Sequence, residues 1–355
     1  MRVSSSRPAA RLAPRARTGC PAHGTAAGTS RDEPAGSPAW RVVLVGAPNV
    51  GKSTLFHRLT GRYATVSNYP RTSVEVTHGH ARLAGRRVHV VDTPGMYSLL
   101  PTTEEERVGR SLVLEEGSDV LVHVVEARCL RRSLPLTLEL MELGKPMVLA
   151  INMMDELTSH GIEVWIDRLA ARLGIEVVPI VAVRGRGVGE LADAVARAAA
   201  GGSAPVPRER EEEVGRAVSA VAAALAGRYP YGRRAAASLL VLDDEEVWER
   251  VRRTEPDGGA RAEAAVREAL GALPGPGAYL SALERRRAAD ELLDGVVRAR
   301  SDAGSRARER LGRWLSRPVP GVPVLLLVLW LGLYEFVGRF GAGTLVDWIE
   351  GTVFL

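Results

Sequence analysis

The sequence predicts an α/β domain with a mostly parallel sheet covered by helices on both faces, followed by a small all-helical domain and one transmembrane helix. Three observations support this prediction. Short β-branched runs alternate with segments of helical spacing from Trp40 to about residue 200, residues 208–300 have helical spacing and no convincing strand, and the run from Val319 to Tyr334 has no charged residue. Strands that alternate with helices form βαβ units, and these units build a parallel sheet.

The first domain is expected to contain five strands, each a short apolar run, and five helices with amphipathic spacing. Glycines at 61, 117, 144 and 174 close several of these segments, as left-handed caps require. The expected strands are 41–45, 87–91, 119–125, 146–152 and 176–181, and the expected helices are 52–59, 104–114, 134–143, 164–173 and 189–199.

Composition limits the classes of protein. A chain of 355 residues is long enough for two domains, and a charged fraction of 25% argues against a mostly membrane-embedded protein. Only two cysteines, Cys20 and Cys129, are present, so neither a disulfide framework nor a cysteine metal site is expected. The net charge of +5 is concentrated near the N-terminus and before the apolar run, which suggests an anionic membrane surface or plain solvation at least as much as nucleic acid.

Changes in composition suggest where the domains begin and end. Residues 1–39 have too little apolar surface to fold alone, although a transit peptide or an over-long start remains an alternative. The predicted organisation is a disordered extension at 1–39, the α/β domain at 40–200, the helical domain at 208–300, a basic segment at 301–317, the transmembrane helix at 318–340 and the start of a further segment at 341–355.

The C-terminal apolar run is predicted to cross a membrane. It is apolar all round rather than on one stripe, and arginines between 298 and 317 precede it, which holds its N-terminal side in the cytoplasm. A bilayer needs about 20 largely apolar residues, so Glu335 must be tolerated near one end. A buried core helix is the alternative, and Glu335 is either a functional group or the end of the span.

The strongest functional signal is a phosphate-binding loop between a strand and a helix. The pattern G-x-x-x-x-G-K-[ST] is met by Gly46, Ala47, Pro48, Asn49, Val50, Gly51, Lys52 and Ser53, and Thr54 follows in the helix. Glycines let backbone N–H groups surround a phosphate, and the helix adds its positive end. Lys52 is expected to contact the β- and γ-phosphates, and Ser53 to bind Mg²⁺.

Two further segments indicate that the bound nucleotide is a guanine nucleotide. Asp92, Thr93, Pro94 and Gly95 form D-x-x-G at the end of the next long strand, where Asp92 can hold Mg²⁺ and the Gly95 amide can sense a γ-phosphate. Asn152, Met153, Met154 and Asp155 end another strand. The Asp155 carboxylate can accept hydrogen bonds from guanine N1–H and the exocyclic amine, which adenine lacks, and Asn152 can tie this loop to the phosphate loop.

The segment Val66–Glu75 lies where a switch loop belongs. Such a loop supplies a hydroxyl to Mg²⁺ and the γ-phosphate. Thr72 and Ser73 are both candidates for this hydroxyl.

The order of these motifs is similar to that of translation-factor-related GTPases with a Ras-like P-loop fold, and the details resemble the ferrous iron transport protein B family. Several features from residue 41 to the end carry the resemblance. The motifs are Asn-Met-x-Asp at 152–155, Val-x-Asn-Tyr-Pro at 66–70, Tyr-Ser-Leu at 97–99 after Asp-x-Pro-Gly, and Pro-Val-Pro-Gly-Val-Pro at 318–323 before the apolar run. Similar stretches lie at 128–134, 136–140, 184–187 and 345–350.

The resemblance implies roles for matching residues. Asn49 corresponds to an asparagine that helps bind an activating K⁺, and Ser73 to the switch residue that reaches Mg²⁺ beside Ser53 and Asp92. Lys52, Asn49, Ser73 and Gly95 would then be the catalytic set. Met96 follows Gly95, so no glutamine positions water there, and hydrolysis should be slow. Ala182, Val183 and Arg184 would back the guanine base, although the usual hydroxyl is missing.

The resemblance also implies the function. The chain is expected to bind GTP and GDP with Mg²⁺ and K⁺, and to hydrolyse GTP to GDP and phosphate as the regulatory part of a ferrous iron transporter. The helical domain would modulate nucleotide release. Expected partners are the membrane, the remaining transporter helices, Fe²⁺ as the transported ion and a second copy of the chain, with no nucleic acid.

The expected location is the inner (cell) membrane, with the GTPase domain in the cytoplasm. The family's iron path needs many membrane helices, so truncation, a split gene and a degraded copy are all open explanations of the single span. The alternative function is a soluble ribosome- or RNA-associated GTPase. That class usually has Lys where this chain has Met153. The histidines at 78, 80 and 89 are read as solvent-facing strand residues rather than a metal site.

Overall fold

The computed structural model describes residues 40–61, 64–70, 72–115, 117–159, 161–201, 212–299, 311–312, 314–333, 348 and 351–352. Three predicted segments lie wholly or largely outside this part of the chain: the N-terminal extension 1–39, the basic segment 301–317 and the C-terminal segment 341–355.

Seven strands form one sheet in the order β2-β3-β4-β1-β5-β6-β8. The pairs β1–β4, β1–β5, β5–β6 and β6–β8 are parallel, which confirms the predicted, mostly parallel α/β fold. A short antiparallel pair, β7–β9, lies apart from the sheet. The strands are β1 Trp40–Val45, β2 Ala64–Asn68, β3 Glu75–Leu83, β4 Arg86–Asp92, β5 Val120–Glu126, β6 Met147–Asn152, β7 Ile162–Val164, β8 Glu176–Pro179 and β9 Val297–Ala299.

The helices follow the strands as βαβ connections require. The helices of the described residues are α1 Lys52–Thr60, α2 Glu104–Leu114, α3 Leu130–Glu142, α4 Met154–Ser159, α5 Ile166–Leu173, α6 Val188–Ala199, α7 Glu213–Ala224, α8 Gly232–Val241, α9 Glu245–Thr254, α10 Ala260–Gly271, α11 Gly277–Leu293 and α12 Pro318–Leu329. Side-chain oxygens cap two of them, because Thr103 accepts from Glu106 N in α2 and Asp244 accepts from Val247 N in α9.

The central strands are apolar throughout, and this explains their place in the sheet. Every residue of β6 is buried, as are all residues of β5 except its last. A strand that is buried on both faces reads as a continuous Val/Ile/Leu run, which is typical of a parallel sheet between two helical layers. The carboxyl ends of β1, β4, β6 and β8 therefore lie along one edge, where open α/β sheets bind ligands.

Four strands, β2, β3, β7 and β9, were not among those expected from the sequence. The segment predicted to be the switch loop forms part of an antiparallel hairpin, in which β2 pairs with β3 between Asn68↔Glu75 and Ala64↔Gly79. The strand β9 lies at the end of the region expected to be all-helical, and it pairs with β7. Both strands of that pair are three residues long, too short to show a period-2 pattern in the sequence.

The helices α7–α11 share an apolar cluster with the sheet rather than packing only on one another. The cluster includes Leu134 and Leu140 of α3, Leu240 of α8 and Leu293 of α11. Two buried ion pairs connect the same parts. Arg110 of α2 contacts Asp244 at 2.6 Å, and Arg285 of α11 contacts Glu139 at 3.2 Å.

The helix α12 contains the beginning of the predicted membrane span. Its apolar side chains are largely exposed, as at Val319, Leu325 and Leu326. Within the described residues, we find no helix with both the length and the apolar character needed to traverse a bilayer. The predicted span 318–340 continues beyond residue 333 into residues outside the described part, and it stays a prediction.

Candidate nucleotide-binding site

The phosphate loop connects β1 to α1 as the sequence predicts. Gly51 begins the helix in the left-handed region, with φ 91°. A Cβ at this residue would lie 2.3 Å from Nδ2 of Asn152, so the close approach of the Asn152 loop also requires glycine here. Asn49 adopts φ 64° and is exposed at the turn of the loop, whereas Val50 is buried. The loop therefore presents Asn49 outward and anchors itself through Val50.

Lys52 folds its side chain back across the loop. Its Nζ donates hydrogen bonds to Gly46 O at 3.0 Å and Ala47 O at 2.9 Å, and the residue is buried. Burial lowers the pKa of Lys52, and the nearby Asp92 carboxylate opposes that change. A cation held by backbone carbonyls beside a helix N-terminus is positioned to meet the oxygens of a bound phosphate.

Ser53 and Asp92 meet at the sheet edge. Ser53 Oγ donates to Asp92 Oδ2 at 2.6 Å, and Asp92 Oδ1 is buried with no hydrogen-bond partner among the described residues. Burial raises the pKa of Asp92, while the Ser53 hydrogen bond and the Lys52 charge oppose the increase. A hydroxyl and a carboxylate with one orphaned oxygen are hard donors of the kind that Mg²⁺ prefers, so the residues present fit this ion.

The D-x-x-G segment packs directly on the phosphate loop. Thr93 Oγ1 donates to Leu44 O at 2.8 Å, and Met96 N donates to Gly46 O at 3.1 Å. A Cβ at Gly95 would lie 2.6 Å from Cγ of Pro48, so only glycine permits this contact. The side chain of Met96 is fully buried and is a thioether with no N–H or O–H group to orient water.

Asn152 joins three loops. Its Nδ2 donates to Val50 O of the phosphate loop at 2.9 Å, and its Oδ1 accepts from Ala182 N at 2.9 Å. The predicted tie to the phosphate loop is thus present in the structure. The bond to Ala182, which the sequence did not indicate, holds the third loop in the same arrangement.

Asp155 lies beside the Ala182–Arg184 turn. One of its carboxylate oxygens is 3.5 Å from Nη1 of Arg184, and its side chain is partly exposed. Met153 takes φ 62°, which reverses the chain between β6 and α4, and Met154 N donates to Ile180 O at 3.4 Å. The structure therefore brings the Asn152–Asp155 and Ala182–Arg184 segments together.

The two candidate hydroxyls of the switch segment, those of Thr72 and Ser73, have different surroundings. Thr72 Oγ1 donates to Tyr69 O at 2.9 Å and accepts from Val74 N at 3.3 Å, so it closes a local turn. Ser73 is exposed and lines an open cavity with Pro94 and Glu104. No described hydrogen bond joins Ser73 or Thr72 to Ser53 or Asp92.

Tyr69 of the same segment is held by Glu115, a residue 46 positions further along the chain. Its hydroxyl donates to Glu115 Oε1 at 2.9 Å, and Arg41 contacts the other carboxylate oxygen at 3.2 Å. Burial and the Glu115 hydrogen bond raise the pKa of Tyr69.

Sequence reasoning missed several residues that hold the site. Arg58 of α1 donates to the carbonyls of Ala182 and Val183, and Glu139 of α3 accepts from Ser98 Oγ and Leu99 N just after the D-x-x-G segment. Arg58 belongs to no motif, and Glu139 lies in the Leu136–Leu140 stretch, which resembles the family but suggests no role for this residue. Each contacts residues at least 40 positions away, so no local pattern indicated these contacts.

Two of the three histidines, His78 and His89, are less exposed than expected. His78 and His89 are half-buried and stack with ring centroids 5.3 Å apart, and His80 is exposed. Burial and neighbouring charges lower the pKa of His89 to about 4. Among the described residues, no three His, Cys, Asp or Glu side chains are arranged to hold a metal ion.

A phosphate loop, D-x-x-G and Asn-x-x-Asp along the carboxyl edge of a mostly parallel sheet define a P-loop G domain of the Ras-like GTPase class. The family model of ferrous iron transport protein B matches residues 40–195, and the Fe(2+) transporter FeoB of Escherichia coli (strain K12) is 42% identical over 158 residues. The G domain of this chain, residues 40–195, belongs to the ferrous iron transport protein B (FeoB) family.

Other relatives and solved structures agree. The Fe(2+) transporter FeoB of Salmonella typhimurium (strain LT2) is 40% identical over 158 residues, which are 43% of this chain and 20% of the relative. The alignment to the E. coli protein covers the same shares, so the chain spans about a fifth of the length of these curated relatives. A GDP-bound point mutant of S. thermophilus NFeoB has a TM-score of 0.66 and 26% identity, covering 73% of this chain and all of that one.

The structure of the cytosolic domain of L. pneumophila FeoB has a TM-score of 0.64 at 27% identity, and it covers 73% of this chain and 99% of that one. These structural likenesses extend over more of the chain than the family model does. They therefore include residues beyond the G domain.

Proposed function

We propose that this chain is the guanine-nucleotide-binding and GTP-hydrolysing regulatory part of a ferrous iron membrane transporter. The geometry supports nucleotide binding, and the likeness to the Fe(2+) transporter FeoB of E. coli and to GDP-bound S. thermophilus NFeoB supports the assignment of nucleotide and transport.

The observation that carries the proposal is the position of Asn152. Its two hydrogen bonds connect the phosphate loop at Val50 to the turn at Ala182, and Asp155 follows three residues later. This places a carboxylate at a defined position relative to the phosphate cradle. Guanine offers that carboxylate two donors, N1–H and the exocyclic amine, whereas adenine offers neither in that arrangement.

Hydrolysis requires a divalent cation in this proposal. Ser53 and Asp92 would hold Mg²⁺, and Ser73 would complete its shell from the switch segment because the Thr72 hydroxyl is committed to a turn. When bound, Mg²⁺ neutralises charge on the phosphate oxygens. Lys52 would contribute its charge from the buried side of the loop.

Activation of water does not use a side chain after Gly95. Met96 is buried with its amide bonded to Gly46 O, so backbone groups and a monovalent cation would carry this role. Asn49 is exposed on the loop and would bind that cation, K⁺. Slow, K⁺-stimulated hydrolysis follows, and Asn49→Ala should remove the stimulation.

The geometry of the site does not indicate which ion is transported or where the protein lies. Both parts of the proposal depend on the comparisons alone. We propose that the G domain lies in the cytoplasm at the inner membrane. The apolar residues after 318 would lead to the membrane part of the transporter, in this chain or in another.

The test compares guanine and adenine nucleotides on the purified full chain. Equilibrium binding of GDP and ADP, and hydrolysis of GTP and ATP with Mg²⁺ and K⁺, should each favour guanine by roughly 100-fold or more. Asp155→Ala should remove this preference by weakening GDP binding without changing ADP binding. Equal binding and hydrolysis of the two nucleotides by the unmodified chain would overturn the proposal.

A further inference from the structure

Arg58 connects the helix after the phosphate loop to the turn at Ala182–Arg184. It lies in the last turn of α1, and its Nε donates to Ala182 O at 3.1 Å. Its Nη2 donates to Val183 O. One guanidinium therefore holds two consecutive carbonyl groups of a single turn, with the charge-assisted hydrogen bonds that a planar fork favours.

These two contacts determine which way the peptide groups of the turn face. In a planar trans peptide the C=O and the following N–H point in opposite directions. Because Arg58 draws the Ala182 carbonyl toward α1, the N–H of Val183 is directed away from α1. Asn152 meanwhile holds the preceding amide, Ala182 N, at 2.9 Å. The Ala182–Val183 peptide is thus held by side chains from α1 and from the end of β6, together with Gly185 N of the same turn, which donates to Ala182 O at 3.1 Å.

The side chains of Ala182 and Val183 offer no donor to a base oxygen. Ala182 is fully buried and apolar, and Val183 is apolar and 69% exposed. The neighbouring Arg184 is 3.5 Å from the Asp155 carboxylate, which places the turn beside the group that would receive the guanine N1–H. Because the Arg184 guanidinium is directed at Asp155, we assign the donor for guanine O6 to the backbone of the turn, and its direction depends on what holds the turn.

We propose that Arg58 is a positioning residue for guanine recognition, which directs the Val183 N–H toward O6 of the base by holding the carbonyls of Ala182 and Val183. The proposal rests on the proposed guanine-nucleotide function and assigns a determinant of its specificity. Arg58 itself touches no nucleotide. It acts through the turn, and its loss should weaken the contact to O6 selectively.

Three nucleotides separate this role from a purely structural one. GDP has the full guanine edge. The diphosphate of 6-thioguanosine keeps N1–H and the exocyclic amine for Asp155 but replaces O6 with a weak acceptor, and inosine diphosphate keeps O6 and N1–H but lacks the amine. The ratio of affinities for GDP and 6-thio-GDP therefore reports on O6, and the ratio for GDP and IDP reports on Asp155.

The experiment measures the affinity of the purified full chain for all three nucleotides. The unmodified chain should prefer GDP to 6-thio-GDP roughly tenfold. Arg58→Met keeps the aliphatic stem and removes every donor. It should weaken GDP binding about tenfold and bring the GDP to 6-thio-GDP ratio close to one, while the GDP to IDP ratio stays unchanged. Arg58→Lys, with one donor group instead of a fork, should give an intermediate ratio.

Arg197→Met is the matched control. Arg197 of α6 is also an exposed arginine with two hydrogen bonds, at 3.0 and 2.6 Å to Glu176, and it contacts no residue of the site among the described contacts. It should leave all three affinities unchanged. If Arg58→Met lowers all three equally, or leaves the GDP to 6-thio-GDP ratio as in the unmodified chain, the inference is wrong. If the unmodified chain binds no guanine nucleotide, the proposed function itself fails.

Discussion

Asp92 carries two oxygens in different surroundings. Oδ2 accepts from Ser53 at 2.6 Å, and Oδ1 is buried with no hydrogen-bond partner in the described part of the chain. An unsatisfied buried carboxylate oxygen is costly, and native proteins keep such groups where a ligand completes them. Among the acidic residues described near the loop, Asp92 is therefore the one at which we expect a bound cation to contribute most to the free energy of nucleotide binding.

Ser53→Ala tests this dependence. Removing the hydroxyl takes away one ligand of the proposed Mg²⁺. It also leaves Asp92 without the hydrogen bond that Ser53 donates. We expect Mg²⁺ to slow GDP dissociation from the unmodified chain, and this effect to fall roughly tenfold or more in the variant. Ser219→Ala is the control, since Ser219 Oγ donates to Gly215 O of α7, accepts from Arg234 Nη1 and contacts no residue of the site among the described contacts. An unchanged Mg²⁺ effect in Ser53→Ala would contradict the assignment.

His123 makes stability depend on pH. It is buried behind the phosphate loop with Nδ1 3.0 Å from Thr137 Oγ1, and burial, with the Lys52 charge, lowers its pKa to about 3. The unfolded chain binds a proton at this residue below about pH 6.5, whereas the folded chain does not until about pH 3. Lowering the pH from about 6.5 to about 3 therefore favours the unfolded state. Above about pH 6.5, His123 no longer makes the free energy of unfolding depend on pH.

We expect the free energy of unfolding to fall by about 1.4 kcal/mol per pH unit below pH 6.5 through this residue. Urea denaturation of the full chain at pH 7, 6 and 5 measures the slope. His123→Gln should be less steep by that amount, even if it is less stable at every pH. Equal slopes for the two chains would show that His123 does not titrate as its burial implies.

At the scale of elements, α3 and α11 meet through a buried charge network. Glu139 of α3 accepts from Leu99 N at 2.5 Å and from Ser98 Oγ, and Arg285 of α11 contacts it at 3.2 Å. Arg285 also contacts Glu142 at 3.3 Å. Burial raises the pKa of Glu139, while Arg285 and the hydrogen bonds from Leu99 and Ser98 oppose the increase. The segment after Gly95 is thus held by a carboxylate whose charge a distant helix neutralises.

Breaking this network from one side should be costly. Arg285→Met leaves Glu139 buried without the positive charge that opposes its desolvation, so the free energy of unfolding should fall by about 3–5 kcal/mol. Glu139→Gln combined with Arg285→Met removes both charges and should recover part of that loss. Urea denaturation of the two variants gives the difference.

The same pair of helices supplies a matched control. Arg131 of α3 contacts Asp290 of α11 at 3.2 Å, with 70% of the Arg131 side chain exposed. Arg131→Met should cost less than about 1 kcal/mol, because water screens an exposed pair. Similar losses for Arg131→Met and Arg285→Met would mean that burial does not set the strength of the Arg285 contact.

At the scale of the whole molecule, the apolar C-terminal run is the part that a soluble domain would not need. The described helix α12 exposes Leu325, Leu326 and Leu327, each with more than half of its surface accessible. We expect the full chain to sediment with membranes and to resist a carbonate wash. A chain that ends at residue 317 should remain in the supernatant.

A charged variant of the full chain is the control for that truncation. Leu326→Arg places a cation in the middle of the run and should shift the chain toward the supernatant, since a charge at the bilayer centre costs about 2.5–3.5 kcal/mol. Recovery of the unmodified full chain in the supernatant would refute the predicted span.

The sequence alone determined the α/β class, the phosphate loop, the D-x-x-G and Asn-x-x-Asp segments and their order at one sheet edge. Each of these is a local pattern of a few residues, and in a parallel sheet consecutive strands bring such patterns together at their carboxyl ends. The antiparallel strand β2 was missed because its residues, Ala64–Asn68, are all exposed and lack the apolar alternation that identifies a half-buried strand.

Only the tertiary structure decided which side chains hold those segments in place. Arg58 reaches the Ala182 turn across 124 residues, and Arg285 reaches Glu139 across 146. It also showed that the Thr72 hydroxyl closes a turn and leaves Ser73 facing the cavity. A motif specifies the chemistry of its own few residues, whereas a contact between distant residues exists only when packing brings them together. No pattern along the chain records that contact.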